Sequence, residues 1–589
     1  MFTQFRKQVE ESLSESLDSA GYSTEDLSLE KPPEDVDAGL ASAVAFSLAG
    51  DENPAEVAHE IAANLHIGEY GLIGGASVKG PYINFSVSDD YLERTVEEAT
   101  SDDYPALPDK DEKIILEHTS ANPTGPLHVG RARNPIIGDS IARLLRKAGY
   151  DLDVEYYVND MGRQVATIAW AYDRIDESEL PEKERDKPDH DIVRYYRRAN
   201  EILEAEAEGE GEDESGAEYN STNGEMTAED EIDELLSELE NGNEDALELV
   251  EEAVEYCLEG QRQSLERIGA SYDRFVHESQ FVLEGDVDDV SERLKEDERS
   301  YEEEDARKID LSDFDIDKEL VFERSDGTSL YTTRDIAYHI DKFERSDDAV
   351  NVLGEDHKLQ AKQLGAALEI LGEDRKPRNV FYSYVSLPEG KMSTREGTVV
   401  NMDDLLDEAV ERAKDEIQER SDERRRDVEE VRETAEKIGI GAVRFDIVAR
   451  QAEKPITFRW EDALNFEGQH APYIQYVHAR ASGILEQADA DPDADLDVDL
   501  LEDDEERGLI EKIGELSDVV DNSAESLEPH RIATYSRELA EAFNEFYREC
   551  RVLDVEDDLK KARLGLVLAS KNAISNSLGL IGVEAPEAM

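Results

Sequence analysis

Two short segments carry residue types suited to holding a polyphosphate: S-A-N-P-T-G-P-L-H-V-G-R at Ser120–Arg131 and K-M-S-T-R at Lys391–Arg395. An imidazole and an arginine in the first, and a lysine, a hydroxyl and an arginine in the second, can neutralise phosphate oxygens or donate to them. The flanking sequence says where the first segment sits. K-I-I-L-E-H-T at Lys113–Thr119 reads as a buried strand, and Val129–Ala148 reads as a helix stopped by Gly149. His128 and Gly130 then lie where a strand feeds a helix, the place in a Rossmann-type sheet where phosphates meet free backbone N–H groups. Gly130 lets an adenine or ribose approach the backbone closely.

The rest of the chain supplies elements to position these segments. Residues 1–105 hold two helical stretches and an alternating strand at Gly80–Val87, closed by a polar, Pro-broken linker. From 106 to 400 strands alternate with helices: strands at Asp153–Val158, Asp348–Leu353 and Asn379–Leu387, helices at Gln164–Ile175 and Leu359–Leu371. Glu319–Thr332 reads as a hairpin turning at Asp326-Gly327. Such alternation implies a parallel doubly wound sheet. Residues 401–465 read as a helical connector and 466–589 as a separate all-helical bundle. The fold class expected is multidomain α/β: a Rossmann-type parallel sheet with an N-terminal α+β domain and a C-terminal all-α bundle.

Within 106–400 the pattern fails over about 199–261, where no Lys or Arg occurs between Ala199 and Gln261. This tract reads as a solvated insertion, partly disordered or weakly helical, without a catalytic role. Deleting about 206–240 is expected to leave catalysis nearly intact.

Composition bounds the setting. The 589 residues include 146 Asp and Glu against 63 Lys and Arg, a formal net charge of −83. That charge strains a compact fold in dilute buffer, whereas in molar salt the Debye length falls to about 3 Å. The acidity is an adaptation to a salt-filled cytoplasm rather than a sign of a basic partner. With 39% hydrophobic residues, cores can still form. No long apolar run or signal peptide is present, so a cytoplasmic protein without membrane contact is expected. The 2 cysteines, Cys257 and Cys550, exclude a disulfide framework and a cysteine-rich zinc site, and read as buried small hydrophobes.

In this order and at this distance, the two segments resemble the HIGH and KMSKS signatures of class I aminoacyl-tRNA synthetases. The resemblance narrows to the arginyl-tRNA synthetase family and covers nearly the whole chain. It implies ATP binding by His128, Gly130, Arg131, Lys391, Met392 and Ser393, with His128, Lys391, Arg395 and Arg131 stabilising charge during catalysis. Mg²⁺ would enter with ATP, and no protein-bound zinc is expected. E-H-T-S-A-N-P and L-Y-T-T-R-D resemble substrate motifs of the family. They imply that Glu117, Asp335 and Tyr331 take the arginine guanidinium, which suits planar carboxylate partners. Ser120 and Asn122 would then take the α-amino end, with His357 a further contact.

G-P-Y-I-N-F resembles the segment that reads the tRNA D-loop, implying roles for Tyr82 and Asn84. A-P-Y-I-Q-Y-V-H-A-R, F-N-E-F-Y and the chain end resemble the anticodon-binding domain. Of the aromatics Trp460, Tyr473, Tyr476 and Tyr547, most read as core, and Tyr473 and Met589 are the candidates for anticodon contact. The family implies a monomer, and a need for tRNA even in the first chemical step. Two departures stand out: Arg131 replaces the last His of the first signature, and Thr394 and Arg395 replace Lys and Ser in the second. Two rivals stay open at this point, a class I synthetase for another amino acid and a non-catalytic RNA-binding relative.

Overall fold

The computed structural model describes residues 1–24, 27–33, 36, 38–208, 226–304, 306–324, 330–386, 401–420, 428–466, 468–488 and 497–589. The chain divides into two compact units. One comprises Asp109–Glu411 and Arg450–Trp460, the other Met1–Pro108, Arg412–Ala449 and Glu461–Met589.

The first unit is built on a five-stranded sheet of β1 (Lys113–Glu117), β2 (Asp151–Val158), β3 (Arg274–His277), β4 (Asp348–Gly354) and β5 (Arg378–Tyr382), in the order β5-β4-β1-β2-β3. All neighbouring strands run parallel. In β1 the run Ile114, Ile115 and Leu116 is wholly buried, as both faces of the sheet are covered. Lys113–Glu117 aligns with Asp151–Glu155 of β2, and Ile114–Glu117 with Asp348–Asn351 of β4. Strand order reverses beside β1, so a crevice opens at its carboxyl end, where α/β sheets take their ligands.

The accompanying helices are α1 (Arg133–Lys147), α2 (Arg163–Arg174), α3 (Pro188–Glu208), α4 (Ala228–Glu240), α5 (Glu244–Arg267), α6 (Tyr331–Arg345) and α7 (Lys358–Ile370). α1 is preceded by one tight turn, Val129–Arg131. Among the described residues no helix is long and apolar enough to cross a membrane.

In the second unit, Leu29–Glu30, Leu40–Ser42, Tyr82–Val87 and Ile73–Lys79 form a four-stranded antiparallel sheet. Ile83 and Phe85 point into the core, leaving Tyr82 on the opposite, alternate face. The helices Val428–Val448, Ala471–Gln487, Asp504–Gly514, Leu516–Ser526, His530–Glu549 and Asp557–Leu580 form the bundle. Arg444, fully buried, donates from Nε to the Ile581 carbonyl at 2.9 Å.

Two expectations are overturned. The run expected as the second arm of a hairpin is helical from Tyr331, and Asp326-Gly327 lies outside the described residues. Leu320–Arg324 instead pairs antiparallel with Ala306–Ile309. In L-Y-T-T-R-D-I-A-Y-H the buried positions Thr333, Arg334, Ile336, Ala337 and Tyr338 follow a helical face, which the β-branched residues at its start disguised.

The described residues of the acidic tract, 199–208 and 226–261, are also more regularly helical and better packed than their charge suggested. α4 buries Ile232, Leu235 and Leu239, and α5 buries Val250, Val254, Cys257 and Leu258. These are helical spacings. In a chain whose exposed positions are filled with acids throughout, a run of acids marks a solvated face and not a missing core. Trp170 of α2 donates to the Glu231 carboxylate of α4 at 2.9 Å. Deleting 206–240 would therefore uncover Trp170 and an apolar face of α2. A fall in Tm of several degrees in molar salt is expected, as for roughly 1–3 kcal/mol lost per buried large side chain uncovered. An unchanged melting curve would return the tract to the role of a solvated appendage. Both cysteines are buried, as expected.

Candidate active site

The crevice at the end of β1 begins with a strained turn. Thr119 and Ser120 have positive φ of 72° and 42°, which non-glycine residues hold only when the surroundings fix them. Here they do. Asn134, buried on α1, accepts from Thr119 N at 2.7 Å and donates to the Val352 carbonyl of β4 at 3.0 Å. Thr119 Oγ1 bonds the Tyr272 hydroxyl at 2.6 Å, and Ala121 N donates to the Tyr156 hydroxyl at 3.1 Å. Sequence reading passed over Asn134 and its neighbour Arg133. The available signal was two polar residues on the inward face of α1. Arg133 is fully buried and donates to the carbonyls of Ser383, Lys454 and Gln451 at 2.7–2.8 Å.

His128 caps the turn Val129–Arg131, its Nδ1 accepting from Gly130 N at 2.9 Å. The proton is thus on Nε2, which is left to donate into the crevice. Gly130 is required by this contact: a Cβ there would lie 2.9 Å from His128 Nδ1. The imidazole pKa is lowered, first by burial and then by the Arg131 charge. Arg131 is exposed and lines the same cleft of about 760 Å³, with Asn122, Gln164, Arg185 and Arg197.

Lys391, Met392, Ser393 and Arg395 lie outside the described residues. The chain just after them is tied to the first segment. Asn401 bridges His128, and Met402 N donates to the Leu127 carbonyl at 2.8 Å. Asp403 is buried, accepting from Lys187 Nζ at 2.8 Å and Ser264 Oγ at 3.0 Å, with His190 Nε2 at 3.3 Å. Burial alone would raise its pKa, but the hydrogen bonds from His190 and Lys187 hold it well below the usual carboxylate range. This cluster already contains its own cation, so its acids are satisfied without a metal ion.

On the other side of the turn, Glu117 accepts from Ser120 Oγ at 2.9 Å and from Lys342 Nζ at 2.6 Å. Ser120 Oγ also accepts from Tyr157 N at 3.2 Å, and Asn122 donates to Gln164 at 3.3 Å. Tyr331 and Asp335 stand one turn apart on α6. Tyr331 is 55% exposed, and its hydroxyl lies 2.7 Å from where a Cβ on Gly162 would stand, which explains glycine there at φ 102°. Asp335 Oδ1 is 3.1 Å from His339 Nδ1. The Asp335 carboxylate is 46% exposed at the crevice; its enclosed surroundings would raise its pKa, yet His339 and more distant Lys342 and His357 hold it below the usual range. His357 is exposed in the turn Glu355–His357, near Asp335 but not bonded to it among the described contacts. A residue missed by sequence reading is Tyr157. Its ring stacks on Tyr338 at 4.7 Å, and its buried hydroxyl stands among Glu278, Asp335 and Glu117.

In the second unit, Tyr82 is 37% exposed and packs edge-to-face with exposed Phe46 at 5.6 Å. Asn84 is buried on the same strand face, its Nδ2 without a partner among the described residues. Tyr476 and Tyr547 are exposed rather than core, whereas Trp460 is buried. The Arg480 guanidinium lies over both tyrosine rings at 4.9 Å. Tyr473 is half-buried and accepts from Asn544 at 2.8 Å, and Met589 lines the cleft beside Tyr476, Arg480 and Tyr547.

Comparison with known proteins fits this geometry. Residues 97–460 match the family described as class I (R) tRNA synthetases, catalytic domain. Residues 474–589 match the DALR anticodon binding domain, and residues 3–87 the arginyl tRNA synthetase N terminal domain. The chain is 48% identical to an arginine–tRNA ligase of Halorubrum lacusprofundi and 49% identical to one of Haloarcula marismortui, with 100% of each chain covered. The Thermus thermophilus arginyl-tRNA synthetase superposes with a TM-score of 0.82 at 28% identity, covering 99% of this chain and 100% of that one. With a family match spanning most of its catalytic unit and full-length relatives near half-identical, the chain belongs to the arginyl-tRNA synthetases of class I.

Proposed function

We propose that the chain ligates L-arginine to its tRNA in two steps at the carboxyl end of β1. The arginine carboxylate attacks the ATP α-phosphate, forming arginyl-adenylate and releasing pyrophosphate. The 2′-hydroxyl of the terminal tRNA adenosine then attacks the activated carbonyl and releases AMP. No protein nucleophile is needed, since positioning and charge stabilisation suffice. His128 donates from Nε2 to a phosphate oxygen, and Arg131 adds a fixed positive charge from the same turn. Lys391, Met392, Ser393 and Arg395 complete the phosphate site, and Mg²⁺ accompanies ATP.

Glu117, Asp335 and Tyr331 take the guanidinium, Ser120 and Asn122 the α-amino end, and His357 an outer contact. The single observation that carries this reading is the pair of acids, Glu117 and Asp335, joined through Lys342 and His339, with Tyr331 one helical turn before Asp335. That set suits a planar cation better than a compact one, which disfavours a synthetase for another amino acid. A single-turnover reaction with ATP, tRNA and each amino acid in turn tests it. Arginine alone should yield aminoacyl-tRNA. Charging with lysine instead, or no turnover at all, would defeat the reading.

The tRNA is held by the second unit in this reading. Tyr82, with Phe46 beside it, offers a stacking face to a D-loop base, and Asn84, buried on the same strand face, supports it from beneath. Tyr473 and Met589 border the anticodon cleft, where Arg480 between two tyrosines offers planar stacking surfaces. In molar salt, phosphate attraction and the repulsion of a −83 protein are both screened, so stacking and shape carry more of the recognition. Arg480→Ala is expected to raise the tRNA KM by about 10- to 100-fold, as for loss of one or two stacked bases. The arginine KM should stay within about twofold, and steady-state aminoacylation at 2 M KCl checks both. We take the protein to act as a cytoplasmic monomer.

A further inference from the structure

The two acids assigned to the guanidinium are joined through a buried chain of side chains on α6 and β4. Lys342 is fully buried, donating to Glu117 Oε2 at 2.6 Å and to Asn351 Oδ1 at 3.0 Å, with its ammonium 4.1 Å from the Tyr338 ring centre. Its Nζ also stands 3.4 Å from His339 Nε2. His339, itself buried, turns its other nitrogen to Asp335. Nδ1 lies 2.8 Å from the Asp335 carbonyl oxygen and 3.1 Å from Asp335 Oδ1.

These partners fix the tautomer. The Asp335 carbonyl oxygen can only accept, so the hydrogen is on Nδ1. Nε2 is approached by the Lys342 ammonium and by Asn351 Nδ2 at 2.9 Å, both donors, so it accepts. The Asn351 amide is oriented in turn by Lys342, which uses its Oδ1. A hydrogen on Nε2 would meet two donors.

The charges are therefore divided unequally. The Glu117 carboxylate is met by an ammonium inside the protein. Among the described residues, Asp335 receives an N–H from His339 and no ammonium in contact, and keeps its charge for an incoming cation. We propose that Lys342 is a positioning and specificity residue for the amino-acid substrate. It holds Glu117 as a neutralised acceptor and, through His339, aims Asp335, which alone supplies the countercharge. A guanidinium spreads its charge over five N–H donors in a plane, so it can bond a neutralised carboxylate and pair with a charged one together. A compact ammonium gains little from the first and is repelled by the Lys342 charge behind it. The proposal rests on the assignment of Glu117 and Asp335 to the guanidinium.

The test is pyrophosphate exchange with tRNA present, on the full chain. Lys342→Met should raise the arginine KM by about tenfold or more, the scale of one charge-assisted hydrogen bond. The ATP KM should stay within about twofold and Lys342→Arg should recover most of the loss. Lysine, as a competitive inhibitor, should gain on arginine in Lys342→Met. Asparagine places its amide nitrogen near Nδ1 and glutamine near Nε2. His339→Asn should thus keep the arginine KM within a few-fold, while His339→Gln raises it by about tenfold.

A folded Lys342→Met enzyme with the parent's arginine KM and lysine discrimination overturns the proposal, provided Asp335→Asn still weakens arginine. Should Lys342→Met not fold, equal effects of the two His339 variants overturn it. An arginine KM unchanged in Asp335→Asn removes the guanidinium assignment itself, and the proposal with it.

Discussion

Asp335→Asn raises the arginine KM by about 30- to 5,000-fold while leaving the ATP KM within about twofold. The basis is the loss of one partner from a charge pair that closes on binding, which costs about 2–5 kcal/mol. Asp335 is the acid whose charge is left available, because its protein partner is the His339 ring. The asparagine keeps the size and one acceptor oxygen, so the fold of α6 should survive. Steady-state pyrophosphate exchange at saturating ATP and tRNA reads the effect. A parent-like arginine KM would show that the guanidinium lies elsewhere.

His128→Ala is expected to slow adenylate formation by about 10²- to 10³-fold, the usual cost of losing one donor to developing charge. Arginine affinity should change little, because charge on the leaving pyrophosphate grows only toward the transition state. Glutamine can reach the Nε2 position, so His128→Gln should recover part of the rate.

The same imidazole sets a pH dependence. Its pKa is lowered by burial and by Arg131, and protonating Nδ1 would break the bond from Gly130 N. A histidine depressed in the fold contributes stability that is present above the ordinary value of about 6.5 and lost as pH falls through the folded value. Adenylate formation should therefore hold from pH 8 down to the ordinary histidine range and fall only below it. Rapid-quench measurement across pH 5–8.5 reads this. A decline setting in well above the ordinary histidine range would point to a different proton on a different residue.

Much of the architecture was legible because parallel strands announce themselves. Lys113–Glu117 and Asp348–Gly354 carry apolar runs, Asp151–Val158 alternates acidic with apolar residues at its start, and each was read within a few residues. The placement of His128 and Gly130 followed from strand and helix alone. Two kinds of information were missing. Charge density misled at α4 and α5, where acids on the exposed face hid a helical apolar stripe.

Buried polar residues were hard to read: Arg133 and Asn134 are marked only by their place on the inward face of α1, and nothing local distinguishes a buried Lys342 from an exposed one. Their roles arise only when β1, α1, α6 and β4 meet: Asn134 joins the β1 turn to β4, and Lys342 joins β1 to α6. Glu117 and Asp335 are far apart in sequence, and their pairing was reached from motifs rather than from periodicity. Gly130 was read as space for a ligand, and the structure adds a closer reason in the His128 ring above it.

The central claim is that one crevice at the end of β1 holds the guanidinium through Glu117, Asp335 and Tyr331, and the adenylate beside His128 and Arg131. A stable sulfamoyl analogue of arginyl-adenylate tests this most directly, titrated calorimetrically against the full chain in molar KCl, alongside its lysyl counterpart. The account predicts binding of the arginyl analogue, a preference over the lysyl one of about 10²-fold or more, and loss of that preference in Asp335→Asn. Equal binding of the two analogues by the parent chain, or a preference untouched by Asp335→Asn, would contradict it.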